Sequence, residues 1–236
     1  MFKDLFGKAM LDFITDNNPE NLITETNISE ADEMDVSYLF RSFQEMPKIE
    51  RKALQLAKGK VLDVGCGAGS HALYLQEKNF DVLGIDISAN AIETCKLRNL
   101  KNVQQTDLLS LDTNEKFDTI YLLMNGTGIF GKLKNLDQYL TKLKELLTDN
   151  GQILIDSSDI IYMFDEDEDG GKWIPMYGDY YGELTFNISY KNEREEPFDW
   201  LYLDYNTLQN ACIAQNLKCE LLLEGDHFDY LARITK

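Results

Sequence analysis

The sequence predicts a doubly wound α/β fold with a mostly parallel sheet. Three observations carry that prediction. From Lys60 onward, short and nearly continuous apolar runs alternate with helical patterns. The first of those runs opens into a glycine-rich loop. The 236 residues are 44% hydrophobic, enough for one large core and against wholesale disorder. Strands buried on both faces read as unbroken apolar runs, and strand–helix alternation gives a parallel sheet with right-handed crossovers.

Residues 1–57 read as helical and form an expected N-terminal cap. Phe2, Leu5, Phe6, Ala9, Met10 and Phe13 recur at helical spacing until Asn17-Asn18-Pro19 interrupts them. A second helical stretch is expected over 37–44, and Pro47 suits the first turn of a helix running to Ala57. The main domain is expected over 58–236. Its apolar runs are 61–64, 82–85, 117–124 and 153–155, and Val103 marks a weaker strand between the second and third. Leu136, Tyr139, Leu140, Leu143, Leu146 and Leu147 stripe a helix over 135–148, which Asp149-Asn150-Gly151 ends. After Asp156 the alternation stops. Residues 183–190 alternate with period two and 200–205 read as a second strand, so the polar stretch between them predicts a long-looped antiparallel hairpin. Residues 157–205 are therefore an expected insertion after the fifth strand. A helix near 206–216 and strands near 218–224 and 230–235 close the chain.

Composition narrows the partners. Acidic residues number 41 against 23 basic ones, a net charge of -18. A phosphate backbone or an anionic lipid surface wants the opposite sign, so neither nucleic acid nor membrane is expected. Cys66, Cys95, Cys212 and Cys219 form no Cys-x-x-Cys pair beside the two histidines, so no metal site is expected. Cys66 in a glycine loop and Cys95 in a helical pattern read as reduced thiols of a cytoplasmic protein. Lys3, Asp4, Lys8 and Asp12 with no apolar segment after them are unlike a signal peptide. No run approaches the roughly 20 apolar residues needed to cross a bilayer.

The most informative stretch is Val61-Leu62-Asp63-Val64-Gly65-Cys66-Gly67-Ala68-Gly69-Ser70. Gly65 allows a sharp turn, Gly67 lets a ligand approach the backbone, and the start of the following helix favours an anionic group. A dinucleotide fingerprint needs a glycine where Ser70 stands, and Asp63 is foreign to it. The stretch resembles motif I of class I S-adenosylmethionine-dependent methyltransferases, Asp-x-Gly-x-Gly-x-Gly after a strand. The resemblance is specific over about 60–156 and loose over 206–236, where the closing elements fit. It implies a Rossmann-like, seven-stranded sheet whose last strand runs antiparallel.

Further positions agree. Asp86 ends the second strand roughly 20 residues after Asp63, near the spacing of an acid that accepts from ribose hydroxyls. In the resembled family, an acid at the place of Asp107 accepts from the adenine amino group, and the N–H of the next residue, Leu108, serves a ring nitrogen. Met124, Asn125 and Gly126 occupy the motif IV place beside the departing methyl group, where Gly126 and Gly128 are expected to keep the crevice open. Asp63, Gly65, Cys66, Gly67, Gly69, Asp86, Ile87, Asp107, Leu108, Met124, Asn125 and Gly126 are thus the residues the resemblance assigns to the cofactor, S-adenosyl-L-methionine.

The acceptor side is less legible. Tyr38, Phe40, Tyr177, Tyr180 and Tyr181 lie in the unmatched cap segments and can offer aromatic faces to a cation; Tyr38, Tyr177 and Tyr181 are the expected substrate contacts. His71, Asp156, Asp179 and Glu183 are candidate bases, with His227 behind them. Asp165, Asp167, Asp169 and Gly170 open like a calcium loop, but Met176 stands where its bidentate glutamate belongs, which favours a solvated acidic loop. A magnesium-dependent subtype would place an acid where Met124 and Asn125 stand. The leading expectation is in-line methyl transfer to a small-molecule acceptor. A non-catalytic cofactor-binding module, or a protein or nucleic-acid methyltransferase, stays open beside it, as do the acceptor atom and the oligomeric state.

Overall fold

A computed structural model describes residues 3–174 and 180–236. The chain opens with helix α1 (Leu5–Ile14), strands β1 (Leu22–Thr26) and β2 (Ser29–Met34), a 3-10 turn (Val36–Phe40) and helix α2 (Lys48–Gln55). The alternating part follows as β3 (Val61–Val64), α3 (Ser70–Glu77), β4 (Val82–Asp86), α4 (Ala89–Leu97), β5 (Val103–Gln105), β6 (Phe117–Leu122), α5 (Leu136–Leu146) and β7 (Leu147–Ser158). The insertion contributes β8 (Glu183–Tyr190), β9 (Glu193–Arg194) and β10 (Phe198–Leu201). Helix α6 (Tyr205–Ala214), β11 (Lys218–Glu224) and β12 (Asp229–Thr235) complete the chain.

Seven strands form the main sheet in the order β11-β12-β7-β6-β3-β4-β5. The pairs from β7 to β5 are parallel, and β12 runs antiparallel to both neighbours. Period-two geometry divides the buried side chains between two faces. Leu62, Val64, Ile120, Leu122, Ile153 and Ile155 pack with the apolar stripe of α5 and with Leu208 and Cys212 of α6. Val61, Tyr121, Leu154 and Leu231 pack with α2, α3 and α4. This is the doubly wound Rossmann-like architecture, and its strand order reverses between β3 and β6, where open α/β sheets bind ligands.

A second, antiparallel sheet in the order β10-β8-β1-β2, with β9 on β8, unites the N-terminal segment with the insertion. Leu22 of β1 pairs with Tyr190 of β8, and Leu184 of β8 with Trp200 of β10. The expectation that 1–57 is helical throughout is thereby corrected: residues 22–34 form a hairpin. Ile23, Thr24 and Thr26 are β-branched, but β1 pairs with the exposed, acidic β2 on one edge and with β8, over 150 residues away, on the other, so no apolar pattern announces the hairpin. The helix expected over 37–44 is a 3-10 turn capped by Asp35, whose side chain accepts from the Ser37 N–H. The strand expected over 200–205 ends at Leu201, because Asp204 caps α6 by accepting from the Thr207 N–H.

Helix α1 bridges both parts. Leu5 and Ala9 pack beneath Leu22, Ile188 and Tyr190 of the second sheet, while Met10 packs on Ala68 and Ala91 beside the glycine loop.

Candidate functional site

The end of β3 turns back on β4. The N–H groups of Gly65 and Cys66 both donate to Ile85 O, at 2.8 and 3.0 Å. The Gly67 N–H donates to Asp86 Oδ2 at 2.9 Å, and Asp86 Oδ1 accepts from the Ser88 N–H at 2.9 Å. Gly65, Gly67 and Gly69 all have left-handed φ, but only one faces free space. A Cβ on Gly65 would lie 2.9 Å from Ile129, and one on Gly69 2.9 Å from Cys95 Sγ. One on Gly67 would meet nothing closer than Met10 Sδ at 3.9 Å. Gly67 is therefore the point where a ligand can touch backbone, and this open cradle fits a bound cofactor.

Asp63 and Asp86 flank the cradle. Asp63 is buried, with Oδ2 lacking a hydrogen-bond partner among the described residues. Burial pushes its pKa up, His71 opposes the shift, and Asp86 adds to it. An orphaned carboxylate oxygen beside the loop suits a ligand carrying an ammonium group. Burial also raises Asp86, against the Ser88 and Gly67 N–H donors. Cys66 is buried with Sγ 3.9 Å from Cys95 Sγ. Ile87 is 56% exposed at the end of β4, an apolar side chain without a covering neighbour. Asp107 Oδ1 accepts from the Leu109 N–H at 2.8 Å, and the Leu108 side chain lies in the core.

At the end of β6, Met124 and Asn125 take consecutive left-handed conformations. Such residues cost on the order of 1–3 kcal/mol each and persist only when their surroundings impose them. Asp156 imposes them: Oδ2 accepts from the Met124 N–H at 3.1 Å and Oδ1 from the Gly126 N–H at 2.9 Å. Burial drives the Asp156 pKa up to about 6, with the Gly126 and Asn125 N–H groups opposing. Gly126 and Gly128 do not keep the crevice open. A Cβ on Gly126 would strike Leu122, and one on Gly128 the Trp200 ring, so both are places where other side chains pack. The Asn125 amide is engaged toward β10, donating to Leu201 O at 3.4 Å and accepting from Ser157 Oγ at 3.0 Å.

A buried charge network runs alongside. His71 Nε2 lies 2.7 Å from Glu50 Oε2, and Arg41 Nη2 donates to Glu50 Oε1 at 2.6 Å. The Arg41 guanidinium stacks 3.4 Å above the Tyr38 ring. Burial resists charging His71, but Glu50, Asp63 and Asp156 outweigh it and hold the pKa above the ordinary value. For Glu50 the order reverses: burial resists its ionisation, and the His71 and Arg41 partners still bring the pKa down. Sequence reading missed Glu50. The one signal was Glu50 on the face of α2 that also carries Ile49, Ala53 and Leu54, an acid amid an apolar stripe.

Between the second sheet and the carboxyl ends of β6 and β7 lies a cavity of about 600 Å³. Met124 and Asp156 line it from the main sheet, Thr24, Asp32 and Phe186 from the second sheet, and Tyr38 from the turn between them. Of the expected acceptor contacts, the structure brings Tyr38 to this cavity. Tyr181 instead donates to Asp159 Oδ1 at 2.8 Å and meets Phe164 edge-on, and Tyr180 bonds Asp204. Phe40 lies under α1 against Phe13. Among the candidate bases, Asp156 and His227 reach the cavity. The imidazole of His71 is spent on Glu50, and Glu183 Oε1 accepts from the Leu133 N–H at 2.9 Å, tying the insertion to the main domain. Tyr177, Asp179 and Met176 lie outside the described residues. Tyr202, just past β10, lines the cavity and was not among the sequence candidates.

In the acidic loop, Asp167 accepts from the Asp169 and Gly171 N–H groups, and Glu166 pairs with Lys172. Among the described residues no helix is long and apolar enough to cross a membrane.

Comparison with known proteins agrees with this geometry. A family of methyltransferase domains matches residues 56–200. A methyltransferase of Bacteroides fragilis, solved with S-adenosyl-L-homocysteine, is 45% identical with a TM-score of 0.91, over 99% of this chain and 94% of that one. The CcbJ methyltransferase of Streptomyces caelestis shares the fold at 16% identity and a TM-score of 0.62, over 80% of this chain and 90% of that one. A ubiquinone biosynthesis O-methyltransferase of Rickettsia conorii is 28% identical over 46% of this chain and 38% of its own length, so the match spans less than half of that relative.

Proposed function

The chain belongs to the class I S-adenosylmethionine-dependent methyltransferase family, and from that premise we propose that it methylates a small molecule held in the cavity between its two sheets. The observation that carries this reading is the cavity itself. It opens at the carboxyl ends of β6 and β7, where doubly wound sheets bind ligands, and the second sheet roofs it. A cleft of about 600 Å³ roofed by the second sheet is of the size that takes a metabolite.

The bound cofactor would supply an activated sulfonium methyl group. The protein's task is then alignment, which is worth on the order of 7–11 kcal/mol at best. Asp86, whose two oxygens each keep a lone pair beyond the Gly67 and Ser88 bonds, would accept from the ribose hydroxyls. Asp107 would accept from the adenine amino group, Ile87 would cover the ring, and Gly67 would let the methionine part lie against the backbone. Asp156 would fix Met124 at the boundary between cofactor and acceptor by holding its N–H.

Calorimetry with S-adenosylhomocysteine tests the cofactor half. Asp86→Ala should cost roughly 1.5–3 kcal/mol of affinity, the worth of a hydrogen bond to a charged group. Asp86→Asn separates the loop's own needs from the ligand's, because it keeps an acceptor but loses the charge. Unchanged affinity in a folded Asp86→Ala protein sinks the ribose assignment. A screen of metabolite extracts with methyl-labelled cofactor tests the transfer, and a protein that binds S-adenosylhomocysteine yet labels nothing would be a binding module instead.

A further inference from the structure

We propose that the small molecule taken by this cavity is a cation carrying a protonated amine, and that carboxylate- and phosphate-bearing molecules are rejected. The inference rests on the reading of the cavity as the acceptor site.

Its walls are one-sided in charge. Glu30 and Asp32 reach it from β2, Glu50 from α2, Asp156 from β7 and Asp229 from β12, whereas no Lys or Arg lines it. Glu50 is neutralised by Arg41 and His71. The other four carboxylates pair with no Lys or Arg among the described residues. They come from three separate strands, so no local acidic run explains their meeting.

Depth distinguishes Asp156 from the acidity of the chain at large. A hydrated surface carboxylate is screened and selects little. Asp156 is 9% exposed, at the floor beside Met124, where field lines are not dissipated by water. The Tyr38 phenol feels Glu50, Asp156 and Asp229: burial raises its pKa, the Arg41 guanidinium over its ring opposes the shift, and the three acids add to it. Beside His227, an entering anion would lose its hydration and meet four carboxylates with no Lys or Arg on the lining, while an ammonium group would be repaid by Asp156 and then by the rim. The apolar part of the wall suits the same guest. Tyr38, Tyr162, Phe186 and Tyr202 present rings to the cavity, and aromatic faces attract cations. Tyr38 already holds the Arg41 guanidinium over its ring.

The test uses the full-length protein saturated with S-adenosylhomocysteine and probes matched in ring and opposite in charge. These are benzylamine against benzoate, and tyramine against 4-hydroxyphenylacetate. Calorimetry should show each amine binding at least tenfold tighter than its carboxylate partner, with the preference shrinking as salt rises. Glu30→Gln and Asp32→Asn together, both on the exposed rim and harmless to the fold, should weaken amine binding severalfold without changing S-adenosylhomocysteine affinity. The inference is overturned if the carboxylates bind as tightly as the amines, if neither class binds at millimolar concentration, or if the rim variants leave the amine affinity unchanged. Each of those outcomes leaves the methyltransferase reading standing as long as S-adenosylhomocysteine binds. Failure of S-adenosylhomocysteine itself to bind strikes at that reading directly and takes this inference with it.

Discussion

At His71 burial alone would favour the neutral imidazole, and three carboxylates decide otherwise. Its folded pKa lies above the ordinary 6.5, and that of Glu50 lies below the ordinary 4.5. A raised histidine stabilises the fold fully below 6.5 and loses that contribution as pH rises through the folded value. A depressed glutamate contributes above 4.5 and loses it as pH falls through its folded value. The pair therefore contributes fully between those two ordinary values. His71→Gln keeps a hydrogen-bond donor and removes the charge, and a lost partner in a buried pair costs ~3–5 kcal/mol. Urea unfolding of both proteins should show a deficit of that order at about pH 5.5 that narrows toward about pH 9. A deficit independent of pH would falsify the charged pair, and Asp63 and Asp156, which also feel His71, would then need another cation. What was legible in the sequence at Gly67 and Asp86 is the turn they build, a few residues long and closed by the Gly67 N–H on Asp86. Glu50 and Tyr202 were not legible, because their meaning lies in partners from other elements.

The same divide appears among the elements. Strands β3, β4, β6 and β7 are buried on both faces and announce themselves as apolar runs. Strands β1 and β2 are half-covered or exposed and polar, and only β1 pairs with β8, so neither announces itself as an apolar run. Helix α1 was legible by spacing, but its docking was not. Gly7 is the contact that decides it: a Cβ there would lie 2.0 Å from Ser88 Oγ, the N-cap of α4, and 2.5 Å from Asp4 Oδ1. Two opposed effects follow for Gly7→Ala. Helix propensity gains about 1 kcal/mol, whereas overpacking costs typically 1–3 kcal/mol. The clash should win, because Ser88 cannot yield without releasing its bond to the Ala91 N–H. Helix α1 would then lift from α4 and carry Met10 away from Gly67. We expect a lower melting temperature and a several-fold loss of S-adenosylhomocysteine affinity, read by thermal denaturation and calorimetry on one preparation. A variant that melts higher and binds normally would show that α1 is no part of the cofactor site.

On the scale of the whole molecule, the proposed function would divide the labour between the two sheets. The glycine loop, Asp86 and Asp107 all belong to the main sheet, and α1 covers the loop through Met10. The second sheet meets the main one across the cavity, through Thr24, Asp32 and Phe186 on one side and Met124 and Asp156 on the other. Two chain segments, one before β3 and one after β7, must come together to build that roof. The ordering is supplied by Leu22, Ile188 and Tyr190 packing on α1, and by Trp200 seated against Gly128. Local opening energies should therefore differ between the halves, since a two-segment sheet with an exposed edge at β2 opens more cheaply than a central parallel strand. A ligand stabilises what it touches, and only as far as it prefers the closed form. Hydrogen–deuterium exchange with and without S-adenosylhomocysteine should show slower exchange over α1, the 65–70 loop and the start of α4. Residues 22–34 and 183–190 should keep nearly the rates of the free protein until an acceptor is also present. Uniform slowing across both sheets would mean that the cofactor alone closes the roof. The cavity would then be assembled by cofactor binding, and acceptor selection could not be separated from it by mutation.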